Sequence, residues 1–270
     1  MKIFKVTQEI NLRDFTDTVY PQGGFCFNAL LKAKDIKVNG MRVNRNIGLK
    51  SGDEVIYYTS QKQEEKLSHN LVYEDANIYV ADKYSGVSSE GLSSELCTKG
   101  EFYAVHRLDR NTEGLIIFAK TKTAEKELLT AFKERRVNKK YIALCKNSFI
   151  QKSGVLTAYL LKDGERGKVS VYPAPRKDAV KIITEYRVIK ERGDLALVEI
   201  ILHTGKTHQI RAHTAFSGFP VLGDEKYGDC ALNKKYAAKR QRLIAKYLSF
   251  DLSGELSYLN AMTFESGFSL

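Results

Sequence analysis

Short apolar runs separated by polar turns dominate the chain from residue 71 onwards, and they predict strands. Helical periodicity interrupts these runs at few places, so strands and helices do not alternate as they would around a parallel sheet. We therefore expect an α+β fold, with a mixed, mostly antiparallel sheet and flanking helices. The predicted strands are residues 71–75, 77–82, 103–105, 115–119, 141–145, 155–161, 169–172, 179–188 and 195–202.

Two later segments have the pattern of helices. Thr123 is a suitable N-cap for a helix with two glutamates in its first turn and basic residues at its end, 133–136. Thr207 is a suitable N-cap for a second helix, residues 208–216, which Gly218 would end. Free backbone N–H groups at the start of this second helix would favour binding of a phosphate.

The first sixty residues predict a small separate α+β unit. A short helix over 25–35 precedes two strands, 36–38 and 41–43. These strands are joined by Asn39-Gly40, which is a strong hairpin signal. A closing strand follows at 54–58.

The chain is therefore expected to have three parts. Residues 1–60 would form the small domain, and the polar segment 61–70, QKQEEKLSHN, would be a linker. Residues 71–270 would form the larger domain with the main sheet.

Composition limits the class of protein. With 270 residues, of which 43% are hydrophobic and 28% charged, the chain should be globular. No apolar run approaches the ~20 residues that span a bilayer, and the amino-terminal segment lacks the apolar region of a signal peptide. We expect a cytoplasmic protein without a membrane partner. The four cysteines are scattered and lack zinc-ligand spacing, which favours reduced thiols over a disulfide framework or metal site.

Basic residues outnumber acidic ones, giving a formal net charge of +11, and they gather in three clusters, 32–50, 133–140 and 234–246. On one face of the molecule, such clusters could follow a phosphate backbone, so a polyanionic partner is favoured. For any single cluster, a solvated helix face is an equally simple explanation.

The charged loop 106–110, HRLDR, lies between two predicted strands and is the first candidate site. If Arg107 and Arg110 approach Asp109, they would favour its ionised form. Such a carboxylate can act as a nucleophile or as a base. A surface salt bridge is the more usual outcome for this string, and composition alone leaves that alternative open.

Three other motifs fail on spacing or context. Gly205-Lys206-Thr207 resembles the end of a nucleotide-binding P-loop, but Ile200 occupies the position of its first glycine. His203, His208 and His213 recur every five residues, a step that does not bring side chains together on a helix or strand. A metal site is therefore not expected. No GxGxxG motif supports a dinucleotide cofactor.

Residues 106–115, HRLDRNTEGL, resemble the HRLDRxTSGL signature of RluA-type RNA pseudouridine synthases. Four further segments match in that family's order: VYED at 72–75 with Asp82-Lys83, KYIAL at 140–144, TGKTHQIRAH at 204–213, and GDEKYG at 223–228. The resemblance implies a pseudouridine synthase fold and an enzyme that isomerises uridine in RNA without a cofactor.

The same resemblance assigns roles to individual residues. Asp109 would be the catalytic aspartate and Tyr141 the active-site tyrosine. Arg211 would pair with Asp109, help to hold the flipped-out nucleotide and occupy the space that its base vacates. The residues expected to contact the substrate are His106, Arg107, Leu108, Arg110, Lys206, Thr207, His208, Gln209 and Ile210.

Residues 28–58 resemble the small RNA-binding domain of the ribosomal S-four type, in the strings IKVNGMRVN and LKSGDEVIYY. The usual Arg-Leu-Asp helical opening of that domain is missing. This resemblance favours ribosomal over transfer RNA as the substrate. Separately, we expect the protein to act as a monomer.

Two positions depart from the synthase pattern. Tyr84 stands where proline usually follows the motif lysine, and Glu113 replaces a small polar residue. Glu113 would add negative charge near Asp109. The main alternative is a non-catalytic RNA-binding or ribosome-assembly factor on the same fold. A glycoside hydrolase is a third interpretation, but it would need a second carboxylate across the scissile bond.

Overall fold

The computed structural model describes residues 1–163 and 167–270. Over these residues, the helices are α1 (Leu12–Val19), α2 (Pro21–Ala33), α3 (Gln61–Glu64), α4 (Ser89–Cys97), α5 (Lys122–Lys133), α6 (Gln209–Phe216) and α7 (Cys230–Lys235), with a 3-10 helix at Glu255–Ala261. The strands are β1 (Lys2–Lys5), β2 (Ile10–Asn11), β3 (Ile36–Val38), β4 (Met41–Val43), β5 (Gly48–Leu49), β6 (Glu54–Tyr57), β7 (His69–Glu74), β8 (Ile78–Lys83), β9 (Tyr103–Ala104), β10 (Glu113–Ala119), β11 (Val137–Lys146), β12 (Ser153–Asp163), β13 (Lys168–Tyr172), β14 (Val180–Arg192), β15 (Leu195–Leu202), β16 (Leu243–Phe250) and β17 (Thr263–Glu265).

One large sheet carries the second part of the chain. Its main path runs β13-β12-β14-β15-β11-β16-β10-β8-β7, with β17 beside β16 and β9 beside β10. The pairings are antiparallel except for β10 with β16, which is parallel. The predicted α+β class with a mixed, mostly antiparallel sheet is therefore confirmed. Among the residues that the structure describes, no helix is long and apolar enough to cross a membrane.

Strand β10 is central because both of its faces are buried. Ile116 and Phe118 pack into one core, and Leu115 and Ile117 pack into the other, on the opposite face of the sheet. Helix α5 covers the second face with its buried stripe, which includes Leu128. The charged loop that precedes β10 is thus held by a rigid strand.

Gly114 allows β10 to pair with β16. Its φ is +111°, and a Cβ atom would lie 2.3 Å from the carbonyl oxygen of Ala245. Only glycine fits this position, because any side chain would meet the backbone of the neighbouring strand.

Residues 2–57 form a second sheet, β1-β6-β3-β4, packed with α1 and α2 around a separate apolar core. The predicted hairpin is present, with Asn39 at φ 48° and Gly40 at φ 79° in its two-residue turn. The segment predicted as a linker, 61–70, contains α3 and the first residues of β7. The expected boundary at 60 falls between β6 and α3, whereas the one at 70 falls inside β7.

Three predicted helix starts differ from the structure. Helix α2 begins at Pro21 rather than at residue 25, because proline suits the first helical position. Helix α5 is capped by Thr121, whose hydroxyl accepts the N–H of Ala124, rather than by Thr123. Thr207 does not cap α6: His208 occupies that position with φ 55°, and its side chain makes no capping hydrogen bond.

Candidate active site

A cleft of about 500 Å³ lies between loop 106–112, the turn from α5 into β11, and segment 202–211. Eleven of the twelve residues predicted for the site line this cleft, and Arg110 is the exception. The lining members are Asp109, Tyr141, Arg211, His106, Arg107, Leu108, Lys206, Thr207, His208, Gln209 and Ile210. The structure therefore brings together residues that are about one hundred positions apart in sequence.

Asp109 faces the cleft with a side chain that is 18% exposed. Its Oδ2 accepts a hydrogen bond of 3.0 Å from Nη1 of Arg211, and its carbonyl oxygen accepts the N–H of Thr112. Nε2 of His208 lies 4.0 Å from the same Oδ2. The carboxylate is thus held from one side and open to solvent and ligand on the other.

Arg211 is shared between two carboxylates. Besides its bond to Asp109, it donates from Nε to Asp224 Oδ2 at 2.6 Å and from Nη2 to Asp224 Oδ1 at 2.9 Å. Burial lowers the pKa of Arg211, but the hydrogen bonds and charges of Asp224 and Asp109 outweigh it, so the net pKa is raised. Asp224 is fully buried and also accepts the N–H groups of Lys226 and Tyr227. The guanidinium is therefore a fixed positive charge on the floor of the cleft.

The expected contacts of the flanking arginines with Asp109 are absent from the described structure. Arg107 pairs with Glu90 at 3.3 Å and is 67% exposed at the cleft rim. Arg110 turns away and pairs with Asp17 of α1. The counter-charge that contacts Asp109 comes from Arg211, as the family resemblance predicted, because the two flanking arginines are held by Glu90 and Asp17.

Tyr141 lies on β11 at a point where the register with β16 shifts. Its ring is nearly buried, and burial together with the charge of Asp109 raises the pKa of its hydroxyl. The phenol is therefore protonated at neutral pH, and the ring forms an apolar wall of the cleft beside the carboxylate.

Segment 204–210 is shaped from inside the protein. The buried Gln209 side chain accepts the N–H of Lys206 and the hydroxyl of Thr204, and it donates to Ile183 and Thr184 of β14. Ile210 belongs to the apolar core, whereas Lys206 and Thr207 are exposed at the rim. Gln209 and Ile210 thus reach the cleft while their side chains stabilise the fold.

His106 has a structural environment. Its Nε2 accepts the N–H of Ile117 at 3.0 Å, and its ring stacks on Phe132 with centroids 4.6 Å apart. Burial, and then the nearby charge of Lys139, lower the pKa of His106 to about 3. The ring is neutral at physiological pH and holds the strand beside the loop.

Basic residues from the cluster 133–140 line the cleft, namely Lys133, Arg135 and Lys139. The Lys139 ammonium lies 5.2 Å from the centroid of the Phe132 ring, and burial lowers its pKa. Within residues 1–163 and 167–270, no carboxylate forms a salt bridge with Lys139. Sequence reasoning identified this cluster but did not assign it to the site.

The third cluster, 234–246, has a different use. Lys235 pairs with Asp194, Arg240 with Glu113, and Lys246 with Glu265. These three cations have partners within the protein, and a contact of this cluster with a phosphate backbone stays a prediction.

Comparison with known proteins agrees with the function that the geometry of the cleft indicates. The family description "RNA pseudouridylate synthase" matches residues 77–216. An RNA pseudouridine synthase of Aquifex aeolicus is 32% identical over 83% of this chain and 79% of that protein. The ribosomal large subunit pseudouridine synthase C of Vibrio parahaemolyticus is 30% identical over 74% and 70% of the two chains.

The chain belongs to the RNA pseudouridylate synthase family. The solved structure of human RNA pseudouridylate synthase domain containing 1 has the same fold, with a TM-score of 0.60 at 26% identity. That alignment covers 69% of this chain and 80% of the human one. The protein is accordingly an isomerase that acts on RNA.

The two departures from the synthase pattern have local structural explanations. Glu113 accepts a hydrogen bond of 2.9 Å from Arg240, which offsets the charge that it was expected to add near Asp109. Tyr84 donates its N–H to Ser68, which proline could not do, and its ring packs against Phe268.

The principal site residue that sequence reasoning missed in this synthase is Asp224. It lies in the matched string 223–228, but its buried contact with Arg211 depends on how the segment between α6 and α7 folds back to that arginine. The available signal was an acidic residue in a matched motif with no role assigned to it.

Proposed function

We propose that this synthase converts uridine in large-subunit ribosomal RNA to pseudouridine, with Asp109 as its catalytic residue. The observation that carries the proposal is the open carboxylate of Asp109, held by Arg211 at the floor of a cleft. The ribosomal substrate is supported by relatives named for the large ribosomal subunit. Similarity of residues 28–58 to an S-four-type domain supports the same class of RNA.

The reaction rearranges bonds within the substrate. The bond between uracil N1 and ribose C1′ breaks, the base rotates, and C5 bonds to C1′; C5 then loses its proton while N1 gains one. No electrons leave the substrate, so no redox group is required. Asp109 starts the reaction either by attacking C1′ or by removing a ribose proton, and both routes need an ionised carboxylate.

Arg211 and Tyr141 support this step in different ways. Arg211 keeps a positive charge 3.0 Å from Asp109 and orients its carboxylate. Tyr141 supplies an apolar surface on which the uracil can stack, and its neutral phenol can contact the base during loss of the C5 proton. The expectation that Arg211 also fills the space of the flipped base does not fit its buried, triply bonded position.

RNA binding would use the exposed and cationic edge of the cleft. Lys133, Arg135, Lys139 and Lys206 line it, and Arg107 is exposed at its mouth. Contacts from such side chains to phosphate fix the position of the RNA without reading its sequence. Since one chain contributes all these groups, we propose that the enzyme acts as a monomer. We also propose that it acts in the cytoplasm.

The test is tritium release from a large-subunit ribosomal RNA transcript labelled at C5 of its uridines. We expect the wild-type protein to release tritium and Asp109→Asn to slow release by more than about 10³-fold, with the fold retained. Asp251→Asn, which alters an exposed aspartate outside the cleft, is the matched control. Release by Asp109→Asn at the wild-type rate would contradict the role of Asp109, and RNA binding without release by wild type would favour a non-catalytic RNA-binding factor.

A further inference from the structure

Asp17, near the end of α1, is a buried carboxylate that joins the amino-terminal elements to the active-site loop. Its side chain is 9% exposed and makes a bidentate ion pair with Arg110, in which Asp17 Oδ1 lies 3.0 Å from Arg110 Nη1. A second guanidinium, that of Arg13, is near: burial and then the charge of Arg110 lower the pKa of Arg13, and Asp17 opposes this. Asp17 is therefore the ion-pair partner of Arg110, and its charge also acts on Arg13.

Two glycines allow three helices to meet at Asp17. A Cβ atom on Gly24 of α2 would lie 2.8 Å from Asp17 Oδ1, and one on Gly91 of α4 would lie 3.1 Å from the Asp17 carbonyl oxygen. Larger residues at these positions would push against the aspartate. The carboxylate is thus fixed in place by the packing of α1, α2 and α4.

The residues on both sides of Asp109 are anchored to this helical region. Before it, the Leu108 N–H donates to the hydroxyl of Ser89 in α4, and that hydroxyl donates back to the Leu108 carbonyl. After it, Asp17 holds the Arg110 side chain, while the Arg110 carbonyl accepts the ammonium of Lys83 at 3.1 Å. Asp109 therefore projects into the cleft from a backbone segment with a fixed residue at each end.

We propose that Asp17 is a positioning residue, through which the amino-terminal unit fixes the geometry of Asp109 by holding Arg110. Residues 1–60 then contribute to the rate of the chemical step as well as to RNA affinity. Arg110, which was expected to contact substrate, supports the loop instead. This inference rests on the proposed catalytic role of Asp109.

The experiment compares Asp17→Asn with Asp14→Asn, a control that alters an exposed aspartate of the same helix. Gly24→Ala is a second variant, because its added methyl group displaces the Asp17 carboxylate without removing it. Single-turnover tritium release from the ribosomal RNA transcript gives the rate at saturating enzyme and the enzyme concentration for half-saturation. Hydrogen exchange of residues 106–112, which includes the Thr112 N–H bonded to Asp109, reports on the loop without any substrate.

We expect Asp17→Asn and Gly24→Ala to lower the saturating rate about tenfold or more, since small displacements of catalytic groups are costly, while half-saturation changes less than about twofold. Both variants should also exchange loop amides faster, and the control should match wild type. A rise in half-saturation alone, or unchanged loop exchange, would overturn the inference. If wild type released no tritium, the proposed function would fail, and faster loop exchange would still support the link from Asp17 to the loop.

Discussion

At the scale of single residues, the site depends on how the charge of Arg211 is shared. Asp224 takes two of its hydrogen bonds deep in the protein, and Asp109 takes one at the cleft. The buried partner fixes the guanidinium, so the exposed carboxylate meets a charge that does not need to reorganise during the reaction.

We predict that Asp224→Asn weakens both catalysis and folding. Loss of the buried negative charge leaves Arg211 without its main partner, which should cost about 3 kcal/mol of unfolding free energy and lower the saturating rate about 100-fold. Glu225→Gln, which changes an exposed neighbour, is the matched control. Chemical denaturation and single-turnover rates check the prediction, and a variant with wild-type values for both would show that Asp224 does not hold Arg211.

The sequence predicted the membership of the cleft better than the contacts within it. Asp109, Tyr141 and Arg211 lie in recognisable motifs, and each lines the cleft. The partners of Arg107 and Arg110 could not be predicted, since neighbouring residues in a loop point in different directions. Asp17 is even harder to find from sequence, because its contact with Arg110 depends on how α1 packs against α4.

At the scale of elements, the site depends on strands that end at the cleft. Short apolar runs bounded by polar turns predicted most strands of the large sheet, because one or both faces of these strands are buried. Helix starts were less predictable, since several polar residues can serve as caps. The start of α6 depends on Gln209, whose side chain organises the preceding turn in place of Thr207.

His106, which holds strand β10 beside the active-site loop, also affects how stability depends on pH. The pKa of its ring is lowered to about 3, and burial lowers the pKa of His213 to about 4, against an ordinary value of 6.5. Between these values and 6.5 the unfolded chain binds more protons than the folded one. Stability should therefore rise with pH across this window and be lost as pH falls through it.

We predict that His106→Gln makes this pH dependence shallower. Glutamine can still accept a hydrogen bond from Ile117, but it does not titrate, and loss of the stack on Phe132 should cost about 1 kcal/mol at pH 7. Thermal unfolding from pH 7 down to pH 4 measures the slope for each protein. An unchanged slope in the variant would mean that His106 does not contribute to acid unfolding.

At the scale of the whole molecule, the basic residues behind the formal net charge of +11 differ in what they contact. The cluster at 133–140 borders the cleft, whereas several cations of 234–246 pair with carboxylates of the protein. The sequence correctly indicated a polyanionic partner, because the net charge is the sum of the charged residues and does not depend on how they fold. It could not indicate which cations stay available, since that depends on the folded neighbourhood of each one.

We predict that Lys139→Gln and Lys206→Gln each reduce the salt dependence of RNA binding. Each variant should lower by about 1 the slope of log affinity against log salt concentration, because one phosphate contact is lost. Lys152→Gln is the control, since Lys152 lies outside the cleft and pairs with Glu191. Binding titrations of the ribosomal RNA transcript at several salt concentrations check this, and equal slopes for all three variants would contradict the assignment.

The most direct measurement is a map of pseudouridines in the ribosomal RNA of cells that lack this gene, complemented with either the wild-type protein or Asp109→Asn. We predict that at least one pseudouridine is lost from large-subunit ribosomal RNA without the gene and returns only with wild type. An unchanged map would contradict the proposed substrate. Restoration of the site by Asp109→Asn would contradict the proposed chemistry.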